Sequence, residues 1–132
     1  MKQSSHRNRP RLLVVEDELT VQAALKKYFC AAGYEVCCAR ELEEAEALLV
    51  TGSYDVVIAD LRLSWSYAAE GLEILRFVRQ HARGTRVLIL SAYGSADLQH
   101  SARELGAEAF LQKPAALPDI AATVTRLLEA HP

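Results

Sequence analysis

Five side chains that could bind a cation or a phosphoryl group stand just after short apolar runs of the sequence. Glu16 and Asp17 follow the first of these runs, Asp60 follows the third, and Ser91 follows the fourth. Lys113 follows the fifth run and is separated from it by one residue. In open α/β folds, ligands bind outside the carboxyl ends of the strands, so we expect these side chains to converge on one rim.

This set of side chains suits phosphoryl transfer. Clustered carboxylates raise one another's pKa unless a cation lies between them, and Mg²⁺ typically takes one or two carboxylates together with phosphate. Beside such a cation, a carboxylate can attack phosphorus as a nucleophile and form an acyl phosphate. A lysine then offsets the phosphoryl charge, and a hydroxyl offers a hydrogen bond.

Each of these residues also has an ordinary structural interpretation. A lone aspartate after a strand is most often a turn or capping residue, and Glu16-Asp17-Glu18 could be a solvated helix start. Ser91 could cap a helix, and Lys113-Pro114 could be a loop. The functional interpretation depends on finding the right residue type, in the right order, at all four strand ends.

The short apolar runs alternate with longer segments that have helical spacing, as in strands covered on both faces by helices. Strands are predicted at 12–15, 34–39, 56–59, 87–90 and 109–111. Helices are predicted at 19–32, 41–50, 72–81, from a cap at Ser95 or Asp97 to about 105, and 118–130, and a loop at 61–70. The alternation predicts the α/β class and a flavodoxin-like (βα)5 sandwich, with five parallel strands in the order 2-1-3-4-5.

The composition of the 132 residues is that of one globular domain. A net charge of −2 argues against a nucleic-acid-binding domain. No apolar stretch approaches the roughly 20 residues of a membrane span, and the polar start has no signal-peptide core, so we expect a cytoplasmic protein. We expect residues 1–10 to be a flexible tail and 11–130 to be the domain. Cys30, Cys37 and Cys38 indicate free thiols, and the scattered histidines argue against zinc.

Taken together, these motifs resemble a response-regulator receiver domain of bacterial two-component signalling. The resemblance rests on LVVEDE (13–18), YDVVIAD (54–60), LSA (90–92) and FLQKP (110–114), and it covers about 11–130. The combination is highly specific, whereas any one motif would be weak.

The resemblance implies that Asp60 accepts a phosphoryl group from a phosphohistidine on a histidine kinase or a phosphotransfer protein. It also implies a site for Mg²⁺ (or Mn²⁺). The metal ligands would be Glu16, Asp17, Asp60 and the backbone carbonyl of Arg62.

The resemblance assigns further roles near the acceptor. Ser91 matches the switch hydroxyl, Ala92 the small residue beside it, and Lys113 the lysine that pairs with the phosphoryl oxygens. Phe110 falls at the aromatic switch position, although a core aromatic is an equal alternative. The bond between Lys113 and Pro114 is expected to be cis.

By the same resemblance the chain is a signalling switch rather than an enzyme, with only self-catalysed phosphotransfer and autodephosphorylation. A downstream protein partner would bind the face around 95–130, because phosphorylation shifts the population of its conformers. We expect neither nucleic acid nor membrane as a direct partner. A homodimer is left open.

The sequence departs from the family after the acceptor. Ser64 stands where a proline is usual, and Gly71 comes later than the usual glycine, so the 64–70 segment is interpreted as a loop enlarged by about three residues. It is either a tolerated insertion or an aromatic contact for a partner, made by Trp65 and Tyr67.

Two further positions flank the phosphoryl group in the family, and here they hold Arg62 and Tyr93. We hypothesise that their bulk hinders the attacking water and prolongs the phosphorylated state.

Three alternatives stay open. One is a receiver-like interaction module that acts without phosphorylation. Another is a receiver excised from a hybrid histidine kinase, although Met1 and the tail favour a free-standing protein. The third is a phosphatase with an aspartate nucleophile, which Arg62 argues against because it occupies the place of the second aspartate of the haloacid-dehalogenase type.

Overall fold

The fold is a five-stranded parallel sheet with helices on both faces, in a computed structural model that describes residues 9–61, 68–92 and 96–129. The strands are β1 (Arg11–Val15), β2 (Glu35–Ala39), β3 (Val56–Leu61), β4 (Arg86–Ser91) and β5 (Ala109–Gln112). The helices are α1 (Leu19–Ala31), α2 (Leu42–Thr51), α3 (Ala68–His81), α4 (Ala96–Glu104) and α5 (Leu117–Glu129). The strand order is β2-β1-β3-β4-β5, which confirms the predicted fold class and winding.

The core consists of two apolar layers, one on each face of the sheet. Successive residues of a strand point to opposite faces, and in β1 both sets are buried. Leu12 and Val14 pack in the layer covered by α1 and α5, and Leu13 and Val15 pack in the layer covered by α2, α3 and α4. Burial on both faces explains why the central strands β1, β3 and β4 are continuous apolar runs rather than alternating ones.

Helix α1 ends as its sequence predicts. Gly33 follows the capping residue Ala32 and has a φ of 101°, a conformation that residues with a Cβ rarely adopt. The chain then turns back so that the N–H of Tyr34 donates to the carbonyl of Phe29. The turn brings the chain directly into β2.

The prediction of a loop at 61–70 is wrong at both ends of that segment. Strand β3 continues through Leu61, because Asp60 and Leu61 pair with the last two residues of β4. Helix α3 begins at Ala68, four residues before the predicted start, because its first residues include strong helix formers. Part of the segment interpreted as an enlarged loop is therefore helix.

Some predictions fall on parts of the chain that the structure does not describe. The aromatic contact of Trp65 and Tyr67 lies outside the described residues, and so does most of the tail predicted at 1–10. Among the helices of the described part, none combines the length and the apolar character needed to cross a membrane.

A buried hydroxyl ties the segment before β4 to the segment before β3, at the edge of the sheet opposite the predicted site. Thr85 is 7% exposed, and its Oγ1 donates to the carbonyl of Tyr54 over 2.7 Å. The N–H of Thr85 donates in turn to the carbonyl of Ala82. Because Thr85 is buried, loss of the hydroxyl would leave the Tyr54 carbonyl with one partner fewer.

The Thr85→Val substitution should therefore destabilise the fold at nearly constant side-chain volume. We expect the free energy of unfolding to fall by about 1–3 kcal/mol, the usual cost of a buried polar group that loses its partner. Urea denaturation followed by circular dichroism measures the change.

Thr51→Val is the matched control, because the hydroxyl of Thr51 donates to the Ala47 carbonyl on an exposed helix end where water can replace it. We expect a change below about 0.5 kcal/mol in this variant. Equal losses in the two variants would contradict the role assigned to the buried hydroxyl.

Candidate functional site

A buried ion pair marks the carboxyl edge of the sheet. The Nζ of Lys113 lies 2.7 Å from Oδ2 and 3.0 Å from Oδ1 of Asp60, so the ammonium engages both carboxylate oxygens. The side chain of Asp60 is 1% exposed and that of Lys113 is 26% exposed, which leaves the lysine accessible from outside. The structure therefore brings together the predicted phosphoryl acceptor and the predicted phosphoryl-binding lysine.

The backbone around Lys113 joins the ends of two neighbouring strands. Its N–H donates to the carbonyl of Ser91 over 2.8 Å, at the end of β4. The peptide bond from Lys113 to Pro114 is cis, as expected from the resemblance. The backbone of Lys113 is thus bound to the residue that carries the predicted switch hydroxyl.

Glu16 is fully buried beside the ion pair. Its N–H donates to the carbonyl of Ala39 at the end of β2, and its Oε2 accepts the N–H of Glu18 over 2.7 Å. The Glu16 carboxyl is also hydrogen-bonded to the Asp60 side chain. One carboxyl group therefore links the start of α1 to the predicted phosphoryl acceptor.

This environment raises the pKa of Glu16 to about 8. Burial is the largest cause, followed by the hydrogen bond to Asp60, and the negative charge of Asp60 adds to both. The Glu18 N–H and the Lys113 ammonium oppose the rise without cancelling it. Near neutral pH, Glu16 therefore keeps a proton, which it donates to Asp60. If Glu16 were ionised, the negative charge of the carboxylates in the pocket would exceed the single positive charge of Lys113.

The chemistry of the donor set fits a hard divalent cation. Glu16, the half-buried Asp17 and Asp60 offer carboxylate oxygens, which Mg²⁺ and Mn²⁺ prefer. Among the residues that the structure describes, no three acidic, histidine or cysteine side chains are grouped so that they could hold a metal ion as they stand. In this arrangement the positive charge next to Asp60 is the Lys113 ammonium. The fourth predicted ligand, the carbonyl of Arg62, lies outside the described residues.

The remaining predicted site residues occupy the ends of β4 and β5. Ser91 is buried, at 2% exposed, and Ala92 is exposed beside it. Phe110 is 8% exposed and packs in the core layer covered by α2, α3 and α4, so its ring lies inside the fold in this conformation. Tyr93 lies outside the described residues. The roles of these side chains as switches stay predictions.

Two features of the site were missed by the sequence analysis. One is a cavity of about 270 Å³ between α1 and α5, with apolar walls and with Asp60 and Lys113 in its lining. The other is Gln22, whose side-chain amide contacts the end of β1. Helical periodicity locates Gln22 on α1, but no pattern in the sequence shows that its amide reaches back to a strand.

The raised pKa of Glu16 predicts a pH-dependent stability in metal-free protein. The folded state keeps the Glu16 proton up to a pH near 8, whereas the unfolded chain loses it near 4.5. The contribution of this group is fully present below about pH 4.5 and is lost as the pH rises toward 8. Glu16→Gln imitates the protonated form and removes this loss. We expect the variant to gain more than about 1 kcal/mol over wild type between pH 5 and pH 8, since one pKa unit corresponds to about 1.4 kcal/mol.

Urea denaturation in EDTA at both pH values measures this difference. Glu43→Gln makes the same change of charge on an exposed residue of α2, and its difference from wild type should not depend on pH. A constant difference between Glu16→Gln and wild type at the two pH values would show that the Glu16 carboxyl carries no such proton.

Comparison with known proteins identifies the family. Residues 12–125 match the response regulator receiver domain family. The transcriptional regulatory protein CusR of Escherichia coli K12 is 35% identical over 118 residues, which are 89% of this chain and 51% of CusR. This chain thus spans about half the length of that relative.

Solved structures agree with this match. The non-phosphorylated HemR receiver domain of Leptospira biflexa superposes with a TM-score of 0.84 at 28% identity, covering 94% of this chain and 98% of that one. A response regulator protein from Burkholderia pseudomallei, solved with a phosphorylated aspartic acid, a calcium ion and citrate, has a TM-score of 0.80 at 26% identity. That match covers 91% of this chain and 69% of the other. The chain belongs to the response regulator receiver domain family of two-component systems.

Proposed function

We propose that this receiver domain accepts a phosphoryl group on Asp60 in a Mg²⁺-dependent reaction and thereby switches its protein–protein contacts. The donor is the phosphohistidine of a histidine kinase or of a phosphotransfer protein. The observation that carries the proposal is the buried Asp60 carboxylate, which is held by the Lys113 ammonium over 2.7 Å and hydrogen-bonded to Glu16.

In the proposed reaction an oxygen of Asp60 attacks phosphorus and forms the P–O bond of an acyl phosphate. The P–N bond to the donor imidazole breaks, and its electron pair returns to the ring nitrogen. Lys113 already contacts both oxygens of Asp60, so its ammonium is positioned to neutralise part of the charge on the transferred group. The protein thus contributes mainly position and charge.

Glu16, Asp17 and Asp60 are the described residues that would hold the cation, together with the Arg62 carbonyl. When bound, Mg²⁺ offsets the negative charge that the phosphoryl oxygens bring to the pocket. Glu16 must give up its proton for its carboxylate to become a ligand. The pocket would therefore lose the single positive charge of a proton and gain the two positive charges of Mg²⁺. The similar Burkholderia pseudomallei protein, which was solved with a phosphorylated aspartic acid and a calcium ion, supports this assignment.

The proposal includes the read-out and the setting. The added charge of about −1.5 to −2 reorganises Ser91 and Lys113. The face around 95–130 then changes its population of conformers and binds a downstream protein. The reaction is self-catalysed and includes autodephosphorylation, so the chain acts as a switch and not as an enzyme with turnover. We place it in the cytoplasm, where histidine kinases present their phosphohistidine.

Asp60→Asn should abolish phosphorylation. In acetyl phosphate and Mg²⁺ we expect the wild-type chain to take up one phosphoryl group, detected by intact mass, and the variant to take up none, because an amide cannot form the acyl phosphate. Asp119→Asn removes an exposed carboxylate in the first turn of α5 and should be labelled like wild type.

The same assay separates the alternatives. A wild-type chain that stays unlabelled would indicate an interaction module that acts without phosphorylation. Continuous release of phosphate, many equivalents per chain, would indicate a phosphatase. Labelling of the Asp60→Asn variant would place the acceptor elsewhere.

Ser91→Ala should uncouple phosphorylation from the read-out. We expect labelling to persist, because Asp60 and Lys113 are unchanged, while the amide chemical-shift changes in 96–129 fall to less than half of their wild-type size. Two-dimensional NMR with and without beryllofluoride, in Mg²⁺, measures those changes. Ser53→Ala removes an exposed hydroxyl near the opposite edge of the sheet and serves as the control. A full response in the Ser91→Ala variant would contradict the switch role of this hydroxyl.

A further inference from the structure

The acidic turn 16–18 is held at both of its ends by one residue of α1. The side-chain Nε2 of Gln22 donates to the carbonyl of Glu16 over 3.0 Å, and the backbone N–H of Gln22 donates to the carbonyl of Glu18 over 2.9 Å. Asp17 is the residue between these two carbonyls. Its backbone position is therefore set from both sides by Gln22.

The same amide reaches a second strand. Nε2 of Gln22 lies 3.3 Å from the carbonyl of Ala39, which also accepts the N–H of Glu16. Gln22 thus connects the carboxyl ends of β1 and β2 where these two strands deliver the acidic turn. Its side chain is half-buried, which limits the access of competing water.

The two carboxylates of the turn depend on this backbone arrangement. Oε2 of Glu16 accepts the N–H of Glu18, the residue that caps the start of α1. A shift of the Glu18 N–H would therefore move the Glu16 carboxyl that is hydrogen-bonded to Asp60. Outer contacts of this kind orient metal ligands, and their loss typically lowers metal affinity by about 10- to 100-fold.

We infer that Gln22 is a positioning residue for the cation-binding acidic turn, an inference that rests on the proposed Mg²⁺-dependent function. The amide contacts neither the cation nor the phosphoryl group. It acts by fixing the backbone that carries Glu16 and Asp17, so its loss weakens Mg²⁺ binding although every ligand remains.

Gln22→Met tests the inference, because methionine keeps the length and the helix propensity of glutamine and removes the two N–H donors. We expect the dissociation constant for Mg²⁺, measured by calorimetric titration of folded protein, to rise about tenfold or more, as is usual when an outer contact of a metal site is lost. In metal-free protein we expect amide hydrogen exchange to quicken about tenfold at Glu16 and Glu18. Exchange in β3 and β4 should stay unchanged.

Gln80→Met is the matched control, because it makes the same substitution at an exposed position near the end of α3. It should leave both the Mg²⁺ affinity and the exchange at Glu16 and Glu18 as in wild type. A purely structural role of Gln22 would lower the urea midpoint while leaving the affinity of the folded chain within twofold of wild type, and that result overturns the inference.

The exchange measurement keeps the two proposals separate. A wild-type chain without Mg²⁺ affinity contradicts the proposed function, whatever Gln22 does. Suppose instead that the wild-type chain binds Mg²⁺. If Gln22→Met then leaves either the Mg²⁺ affinity or the amide exchange at Glu16 and Glu18 unchanged, the result contradicts only the positioning role.

Discussion

The site depends on two buried carboxyl groups that lie in contact, one of which is paired with an ammonium. Parallel strands end at the same edge of the sheet, so the winding of this fold brings Glu16 and Asp60 into contact at 0% and 1% exposure. Two buried negative charges repel each other strongly, and Lys113 can neutralise only one of them. A proton on Glu16 removes the other charge. Burial is the largest cause that raises the pKa of this residue to about 8, and the hydrogen bond to Asp60 and the negative charge of Asp60 add to it. Any cation or phosphoryl group that enters must change this balance.

Lys113 connects the charge on Asp60 to the neighbouring strand. Its ammonium is bound to Asp60 at the end of β3, and its backbone N–H is bound to the Ser91 carbonyl at the end of β4. Phe110 lies three residues earlier in the same chain segment and is buried in the core layer covered by α2, α3 and α4. In the proposed function, a new charge on Asp60 therefore acts on β4 and β5 by pulling on a single side chain. The face around 95–130 that is proposed as the read-out consists of α4, β5 and α5, which follow the end of β4.

The sequence allows most of the fold to be predicted, because burial on both faces makes each central strand a continuous apolar run and right-handed crossovers leave few ways to wind five strands. It also allows Asp60, Lys113 and Glu16 to be placed at one edge. The end of β3 and the start of α3 could not be predicted, since pairing with β4 extends the strand past Asp60 and the helix begins four residues earlier than its apolar spacing indicates. The hydrogen bond between Glu16 and Asp60 and the reach of Gln22 depend on distances between elements, which no local pattern encodes.

The neutrality of Gln22 agrees with the charge balance of the pocket. A lysine or arginine at this position could donate to the same carbonyls, but it would bring a permanent positive charge close to the acidic turn. That charge would lower the pKa of Glu16 and satisfy part of the demand that a divalent cation meets. An amide provides the hydrogen bonds without the charge. The turn is therefore held in place, and the negative charge of its carboxylates is left for a cation to neutralise. In the proposed function, rigidity and cation affinity would thus be supplied by different groups, the first by Gln22 and the second by the carboxylates of the acidic turn.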